Sequence, residues 1–460
     1  MKYSAINIGP IVKTLGLARK PRELWSASFL FSALMDYIIK EVPNGVDIIS
    51  PAVITPAVCP PCSGVGLYPD RLFIKGEIPD AQMEEMINKA WEEFKKNVFS
   101  VKDDVREYFT IMNASVEADH DYEAVKKLNA ILDRLELNVM ASDHASRDKV
   151  LDLIKKDSGS PLFTLGFGSN KMPVESLQKI AEASWEAIGE RKSFHDYVCI
   201  VQADGDNVGS YVTSPALKSG KLKDVSSALL EFGIKAKTAI EEFGGTPVYA
   251  GGDDLLFIAP VIGRDGKTTI FDLLENLDDA AFAGVKSLIP GVKDHTPGAS
   301  LSFGVAITYY KFPLYEALEM ARNLLFGVAK KVSDKHAVAW TFQKHSGEQF
   351  SAAFSRENKS LWKEFMNVID KTVDGNTVSA VAHKIREFGP LVHQVLESSA
   401  SVRLDALFDN VLEMKNNDYF KAVKEIMPTL YGVCRDNFSD VLYAILRTAK
   451  FVKGEEPKDE

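Results

Sequence analysis

The sequence is short of cysteine and histidine and carries no excess of basic residues. Its 460 residues include 4 Cys and 8 His, and so few Cys do not make a disulfide framework. Asp and Glu number 64 against 54 Lys and Arg, for a formal net charge of -10, whereas proteins that bind nucleic acid unaided usually have a basic balance. No apolar run reaches the ~18 residues that span a bilayer, and the first apolar stretch lacks the flanks of a signal peptide. These absences predict a cytoplasmic protein with no membrane contact, whose contacts with nucleic acid are local or are made through partners.

The apolar content is sufficient for large cores. Hydrophobic residues make up 46% of the chain and charged residues 26%, the balance of an ordinary globular protein. The length favours two to four domains. The order of elements predicts an α+β fold with two ferredoxin-like palm domains, a helical insert and a helical C-terminal domain. The predicted divisions are a non-catalytic N-terminal palm at 1–79, a helical domain at 80–160, a return strand or linker to that palm at 161–194, a catalytic palm at 195–345 and the C-terminal helical domain at 346–460.

Strand and helix patterns alternate between residues 195 and 342. Apolar, β-branched strands are predicted at Tyr197–Ala203, Thr246–Ala250, Leu255–Ala259, Ser300–Tyr310 and Ala337–Phe342. With the helices between them, these strands give the order β-α-β-β-α-β. The N-terminal part shows a similar order, which predicts a second copy of the fold, although such orders are common enough for coincidence. Residues 80–156 and 351–452 have helical periodicity only.

The clearest motif is VYAGGDDLLFIAP at residues 248–260. Two apolar strands flank Gly251-Gly252-Asp253-Asp254, and the glycines permit a tight reversal of the chain. Two adjacent carboxylates repel each other at such a turn, whereas a bound divalent cation attracts both. Taken alone, the motif is equally compatible with an ordinary hairpin turn that carries solvated acids.

A second acidic motif, IVQADGDNVGSYV at 200–212, supports the functional interpretation. An apolar strand ends there in Asp204-Gly205-Asp206-Asn207. In a β-α-β-β unit the end of the first strand lies beside the following hairpin, so Asp204 and Asp206 are expected to meet Asp253 and Asp254. Such a carboxylate group fits a two-metal site for Mg²⁺ or Mn²⁺, and the glycine amides permit close approach of phosphates.

These motifs resemble a known family. GGDD after an apolar strand, with ADGDNVG upstream, resembles the palm of nucleotide cyclases and polymerases related to GGDEF domains. The opening INIGPIVKTLGLARKPRELWSASFLFSALM and the later ARNLLFGVAKKVSDKHAVAWTF are similar to the large palm subunit of type III-B (Cmr-type) CRISPR effector complexes, the Cas-ten family. The resemblance covers nearly the whole chain.

The resemblance implies a function, a substrate and partners. It implies an RNA-guided antiviral complex, with other type III-B subunits, crRNA and target RNA, whose large subunit polymerises ATP into cyclic oligoadenylate or a related AMP-containing messenger. Asp204, Asp253 and Asp254 match the catalytic and metal-binding acids, and Asp206 is a weaker match for a metal ligand. The residues expected near the nucleotide are Gly205, Asn207, Gly251, Gly252, Ser302 and Lys330 or Lys331.

The N-terminal palm has no acids at places that look equivalent, and we expect it not to catalyse. The resemblance implies that it holds a second ATP, with Ser26, Ser28, Arg19 and Arg22 as phosphate contacts. The alternative for Arg19 and Arg22 is a basic patch that faces solvent or a partner, and the sequence favours neither.

The sequence departs from the family in two ways. The palm strand begins almost directly after Met1, with no HD nuclease set, which predicts no DNase activity. Cys59-Pro-Pro-Cys62 is a single CxxC, so a structural zinc is not favoured. Two other functions stay open: a free-standing GGDEF-like nucleotide cyclase, and a non-catalytic scaffold subunit of the complex.

Overall fold

The structure is a computed structural model of the 460-residue chain. It describes residues 1–54, 64–99, 105–137, 144–156, 159–168, 174–217, 220–291, 298–332, 335–372, 375–398, 401–408 and 418–454. The predicted Cys59/Cys62 pair therefore lies outside the described residues, and its lack of zinc stays a prediction.

The strands form two separate sheets. In chain order the strands are β1 (Lys2–Gly9), β2 (Asp47–Ser50), β3 (Arg71–Lys75), β4 (Thr110–Glu117), β5 (Tyr197–Asp206), β6 (Thr246–Gly251), β7 (Asp254–Pro260), β8 (Ser300–Tyr309), β9 (Ala337–Gln343) and β10 (Gln349–Ser355). The first sheet has the order β2-β3-β1-β4 and the second the order β10-β9-β8-β5-β7-β6.

Helices cover the sheets and build the C-terminal third. They are α1 (Ile11–Leu15), α2 (Pro21–Lys40), α3 (Asp80–Val98), α4 (Asp121–Glu136), α5 (His144–Lys155), α6 (Pro161–Phe167), α7 (Leu177–Ala181), α8 (Trp185–Ile188), α9 (Val208–Val212), α10 (Lys221–Phe243), α11 (Ile270–Asn276), α12 (Ala283–Leu288), α13 (Leu314–Arg322), α14 (Lys359–Lys371), α15 (Gly375–Glu387), α16 (Gly389–Glu397), α17 (Ser401–Ala406), α18 (Asp418–Val433) and α19 (Phe438–Val452). Two π-helical segments, Leu277–Ala281 and Asn323–Val328, follow α11 and α13. Within the described ranges, none of the helices combines the length and the apolar character that a bilayer crossing requires.

The prediction of an α+β fold with two palm copies is confirmed. In the second copy, strands β8, β5, β7 and β6 lie side by side in the ferredoxin-like order 4-1-3-2. Strands β4, β1, β3 and β2 of the first copy have the same order. In both copies the first strand is central and pairs antiparallel with both neighbours.

The fourth strand of the first copy corrects the sequence prediction. It is β4, which lies inside the segment predicted to be helical and pairs with β1 along its whole length. The described part of 161–194 contains helices at 161–167, 177–181 and 185–188 and no strand, so β4 takes the place of the expected return strand and the linker alternative stays open. Helix α3, assigned to the insert, packs on α2 in the same core as β1. The charge-dense neighbours of β4 concealed its alternation, in which Asn113, Ser115 and Glu117 face solvent.

The C-terminal helices share one core with the second sheet. Strand β10, predicted to be helical, instead pairs antiparallel with β9 and widens the sheet. Against this part of the sheet, the ring of Phe342 lies 4.2 Å from that of Phe451, and Trp340 Nε1 donates to Thr448 Oγ1 at 3.0 Å. The C-terminal part of the chain is therefore built onto the palm that carries the acidic motifs.

A short segment of the first copy extends the second sheet. Gly66 forms a parallel bridge with Tyr249 of β6, and the Ala250 N–H donates to the Gly66 carbonyl at 3.0 Å. At another point of contact the guanidinium of Arg19 lies 4.8 Å from the centre of the Tyr315 ring. The two palms therefore meet along β6, the strand that leads into the acidic hairpin.

Replacing Gly304 of β8 by Ala is expected to lower the free energy of unfolding by about 2 kcal/mol or more. A Cβ at this position would clash with the Ala321 carbonyl and would lie 2.5 Å from the Leu325 amide nitrogen, both of them backbone groups that cannot move independently. Urea denaturation measures the change. Gly327→Ala is the matched control, because a Cβ there meets no atom within 4 Å. If the two variants were equally stable, β8 would not be closely packed against α13 and the π-helical segment that follows it.

Candidate functional site

The GGDD motif forms a two-residue hairpin between β6 and β7. Gly251 pairs with Asp254 across the hairpin, which leaves Gly252 and Asp253 in the turn. Gly252 has φ +66°, in the left-handed region, and a Cβ there would meet no atom within 4 Å. The turn therefore needs glycine for its backbone conformation, and its outer side is open to an approaching ligand.

Strand β5 brings Asp204 to the same place. The register that pairs Ala203 with Leu255 continues to set Asp204 beside Asp254. Asp253 lies against Gly205, the next residue of β5. A Cβ added to Gly205 would come within 2.6 Å of Asp253 Cβ. The structure thus brings together Asp204, Asp253 and Asp254, the three acids that the sequence predicts to act together.

Mutual repulsion and enclosure make these acids hard to ionise together. Burial and the charge of Asp204 raise the pKa of Asp253 to about 7. Burial, the charges of Asp253 and Asp204 and a hydrogen bond with Asp204 raise the pKa of Asp254 well above its usual range. Without a cation, protons relieve part of the repulsion.

Lys330 supplies a positive charge at the edge of the acid group. Its Nζ pairs with Asp204 Oδ2 and donates to the Asp204 carbonyl at 2.9 Å and to Asp206 Oδ1 at 2.7 Å. Burial opposes the charge, but the two carboxylates outweigh it and raise the pKa of Lys330. The amine therefore stays charged near neutral pH. Lys331, the alternative, is exposed.

Asp206 does not face the open site, which corrects its predicted role as a metal ligand. Its side chain is fully buried, and Oδ2 accepts from Ser300 Oγ at 2.9 Å, Ser302 Oγ at 2.8 Å and His336 N at 3.0 Å. With Lys330 on Oδ1, both carboxylate oxygens are occupied. Asp206 therefore anchors its surroundings.

Two residues predicted to bind nucleotide also have internal partners. Ser302 is completely buried and accepts from the Ala337 N–H at 3.2 Å while it donates to Asp206. Asn207 has φ +65° and donates through Nδ2 to the Gly298 carbonyl at 3.0 Å. Both residues hold the backbone around β5 and β8. Ser302 has no surface to offer a ligand.

The predicted phosphate contacts of the N-terminal palm lie at or near the junction of the two palms. Ser26 and Ser28 are buried in α2, and Ser28 Oγ would lie 3.6 Å from a Cβ on Gly66. Arg19 donates to the carbonyls of Gly16 and Ala18 at 2.8 and 2.9 Å, in addition to its contact with Tyr315. Arg22 is half-buried. The burial of the serines corrects their prediction as phosphate contacts, because their hydroxyls are enclosed where helix and loop pack.

The N-terminal palm has an acid that the sequence analysis missed. The register that pairs Asn7 with Arg71 continues to Ile8 and Asp70, and the Ile8 N–H donates to the Asp70 carbonyl at 3.0 Å. Asp70 therefore lies directly before β3, beside Ile8 of β1. Sequence analysis did not single out this acid, because it follows a long loop instead of a recognisable hairpin motif.

Asp70 and Tyr249 extend the electrostatics of the site across the junction. Burial, followed by the charges of Asp254 and Asp70, raises the pKa of Tyr249 well above its usual range. The Tyr249 ring lies against Gly251, where a Cβ would come within 2.6 Å of its Cζ. A phenol that stays protonated beside carboxylates acts as a hydrogen-bond donor.

The donor set fits a divalent cation, although no ligand sphere is arranged in advance. Across the described part of the chain, no three or more His, Cys, Asp or Glu side chains are disposed for one metal ion. Asp204 and Asp254 nevertheless share a hydrogen bond, and Asp253 adds a third carboxyl group. Hard oxygen donors under mutual repulsion are the kind that Mg²⁺ and Mn²⁺ bind.

Comparisons with known proteins agree with this fold. Residues 197–339 match the family model of the Cas10/Cmr2 second palm domain, and residues 3–96 match that of the N-terminal part of CRISPR-associated protein Cmr2. Together they cover just over half of the chain. The CRISPR system Cmr subunit Cmr2 of Pyrococcus furiosus is 29% identical over 278 residues, which are 58% of this chain and 29% of that protein.

Solved structures share the fold over nearly the whole chain. A type III-B Cmr-beta structure in the apo state matches with a TM-score of 0.63 at 12% identity, covering 99% of this chain and 82% of the other. A Csm1-Csm4 cassette in complex with cA4 matches with a TM-score of 0.52 at 14% identity, covering 99% and 69%. The fold and the two family-model matches define a palm-domain protein of the type III CRISPR large-subunit class. Within that class, the chain belongs to the Cas10/Cmr2 family of type III-B, while the alignment spans under a third of the curated relative.

Asp253→Asn is expected to stabilise the metal-free protein above about pH 7 and to have little effect below about pH 4. The pKa of Asp253 is about 7 in the fold against 3.8 ordinarily. The folded state therefore holds this proton more tightly, and the stability that the proton contributes is lost as the pH rises through about 7. Asn is neutral at every pH, so the variant keeps this stability when the pH rises. Urea denaturation in EDTA should show a gain of about 1–2 kcal/mol at about pH 8.

Asp436→Asn, on an exposed turn, is the control and should give a difference that does not vary with pH. Excess Mg²⁺ should reduce the gain of Asp253→Asn, because a cation favours the ionised carboxylate. A gain that is the same at every pH would show that repulsion does not govern this position.

Gly205→Ala is expected to weaken Mn²⁺ binding about tenfold or more, the range found when a ligand's support is removed. The added Cβ would overlap Asp253 and displace its carboxyl group. Electron paramagnetic resonance of free Mn²⁺ measures the change. Gly209→Ala is the matched control, since a Cβ there meets nothing within 4 Å. Mn²⁺ affinity unchanged by Gly205→Ala would exclude Asp253 from the ion site.

Proposed function

We propose that this chain is the catalytic large subunit of a type III-B CRISPR effector complex and makes an AMP-containing second messenger. Target RNA bound to the crRNA activates it, and ATP is joined into cyclic oligoadenylate or a related product. The partners are the other subunits of the complex, through which crRNA and target RNA are bound. The proposal places this reaction in the cytoplasm, where transcripts of invading DNA are made.

The convergence of Asp204, Asp253 and Asp254 carries this proposal. Burial and the neighbouring carboxylates raise the pKa values of Asp253 and Asp254, so the fold accepts a repulsion that a bound cation would relieve. Repulsion of this kind does not stabilise the fold, so a subunit with a purely structural role would gain nothing from these acids. The Csm1-Csm4 cassette with a related fold binds cA4, which supports a cyclic oligoadenylate as the product class.

In the proposed reaction, a ribose hydroxyl of one ATP attacks the α-phosphate of another. A new phosphodiester bond forms, the bond to the β-phosphate breaks, and pyrophosphate leaves. When bound, divalent cations lower the pKa of the attacking hydroxyl and neutralise the departing pyrophosphate. Asp204, Asp253 and Asp254 would hold them.

The chain's own groups position the phosphates. The amine of Lys330 is partly exposed, at 14%, and its charge can move from Asp204 to a phosphate oxygen as ions neutralise the carboxylate. The open backbone at Gly252 lets phosphates approach the turn without a side chain in the way. No covalent intermediate with the protein is needed.

Two other functions compete with this one. A free-standing GGDEF-like cyclase would cyclise GTP without RNA, and purified chain with Mg²⁺ or Mn²⁺ and single nucleotides tests it. A non-catalytic scaffold would leave nucleotide chemistry to another subunit. The intact acid group disfavours the scaffold, and the net charge of -10 makes RNA sensing by the isolated chain unfavourable.

Asp253→Ala with Asp254→Ala is expected to lower ATP-derived product at least about a hundredfold in the reconstituted complex with matching target RNA. Loss of the carboxyl groups removes the ion site while assembly is retained. Mass spectrometry of the product measures the effect. Glu84→Ala with Glu85→Ala, two adjacent exposed acids on α3, is the matched control. Unchanged product from the Asp variant would establish the scaffold function.

A further inference from the structure

A charge network around one buried carboxylate joins the π-helical segment after α11 to β8, to His336 and to Arg356 at the end of β10. At its centre is Asp278, whose side chain is 0% exposed in the π-helical segment Leu277–Ala281. Its contacts are His336 Nε2 at 2.5 Å, Lys286 Nζ at 2.8 Å and Arg356 NH1 at 3.0 Å on Oδ2, and Leu301 N at 2.9 Å on Oδ1. Burial alone would raise the pKa of Asp278, but His336 and the other donors hold that pKa well below its usual range.

His336 stands in a conformation that its partners must maintain. Lys335 and His336 have φ values of 51° and 44°, in a region that residues with a Cβ rarely adopt. The segment at the end of β10 holds both residues. Ser355 Oγ donates to the Lys335 carbonyl at 2.9 Å, the Arg356 N–H donates to the His336 carbonyl at 2.7 Å, and Glu357 Oε1 lies 2.9 Å from His336 Nδ1.

The conformation of His336 determines where its backbone amide points. That N–H donates to Asp206 Oδ2 at 3.0 Å, while Lys330 Nζ donates to Asp206 Oδ1 at 2.7 Å. One buried carboxylate, that of Asp206, therefore binds both the Lys330 amine and the His336 amide. Lys330 also pairs with Asp204. Because the His336 amide helps to hold the Asp206 carboxylate in place, the position of the Lys330 amine beside Asp204 depends on His336.

The same residues connect this segment to the first C-terminal helix. Asn358, next to Glu357, caps α14 by accepting from the Leu361 N–H at 3.2 Å. The guanidinium of Arg356 lies 4.8 Å from the centre of the Trp362 ring in that helix. A shift of α14 would therefore be transmitted to His336.

We propose that Asp278 and His336 are positioning residues that fix Asp206, and through it the amine of Lys330, beside Asp204. Glu357 and Arg356 make that position depend on the placement of α14. The benefit for phosphate binding rests on the proposed function, whereas the positioning of Lys330 does not.

Acylation of lysines by an amine-selective reagent tests the positioning directly. Mass spectrometry gives the labelling of Lys330 relative to its exposed neighbour Lys331 in the full chain. His336→Gln is expected to raise this ratio about fivefold, the effect of losing one typical hydrogen bond. His345→Gln, an exposed histidine between β9 and β10, is the control and should leave the ratio unchanged. A wild-type ratio in folded His336→Gln protein would overturn the inference.

A second variant covers the case in which His336→Gln does not fold. Glu357→Gln changes a side chain that is 56% exposed, and it should raise the ratio less than His336→Gln does. If only this variant folds and its ratio equals that of wild type, the inference also fails.

Calorimetry with Ca²⁺ and ATP, and with adenosine alone, separates the inference from the proposed function. In His336→Gln, ATP affinity is expected to fall about tenfold while adenosine affinity is unchanged, because one phosphate-facing charge is displaced. A raised labelling ratio, together with no ATP binding by the reconstituted complex that holds matching target RNA, would leave the positioning established and would overturn the proposed function.

Discussion

Repulsion among three carboxyl groups in an enclosed place is the constraint on which the rest of the site depends. Asp204, Asp253 and Asp254 come together because β5 and the β6–β7 hairpin end at the same edge of one sheet. Protons and the amine of Lys330 compensate for this repulsion in the chain alone. A bound cation would relieve the same repulsion that the protons and the amine relieve in the chain alone.

The two palms use one topology for different purposes. The second copy brings three acids, Asp204, Asp253 and Asp254, to one end of its sheet, whereas in the first copy Asp70 lies beside Ile8. A single carboxyl group beside an isoleucine cannot share a cation across two strands. Asp70 instead contributes its charge to the neighbouring palm, near Tyr249 and Asp254. The first copy therefore shapes the site from outside.

The sequence predicted the features that short-range patterns encode. The β6–β7 hairpin and the acidic end of β5 follow from glycines and apolar strands, which specify local structure. Strands β4 and β10 were missed because partly exposed strands have weak alternation and gain their stability from pairing. The internal roles of Asp206 and Ser302 depend on partners more than 90 residues away along the chain, which spacing does not show.

The bridge between Gly66 and Tyr249 has a consequence for how the isolated chain behaves in solution. Strand β6 is the outermost strand of the six-stranded sheet, and an uncovered outer strand is a template for pairing with other molecules. The loop of the N-terminal palm occupies part of that edge. Intramolecular pairing at this edge thereby protects the hairpin that carries the acids from self-association.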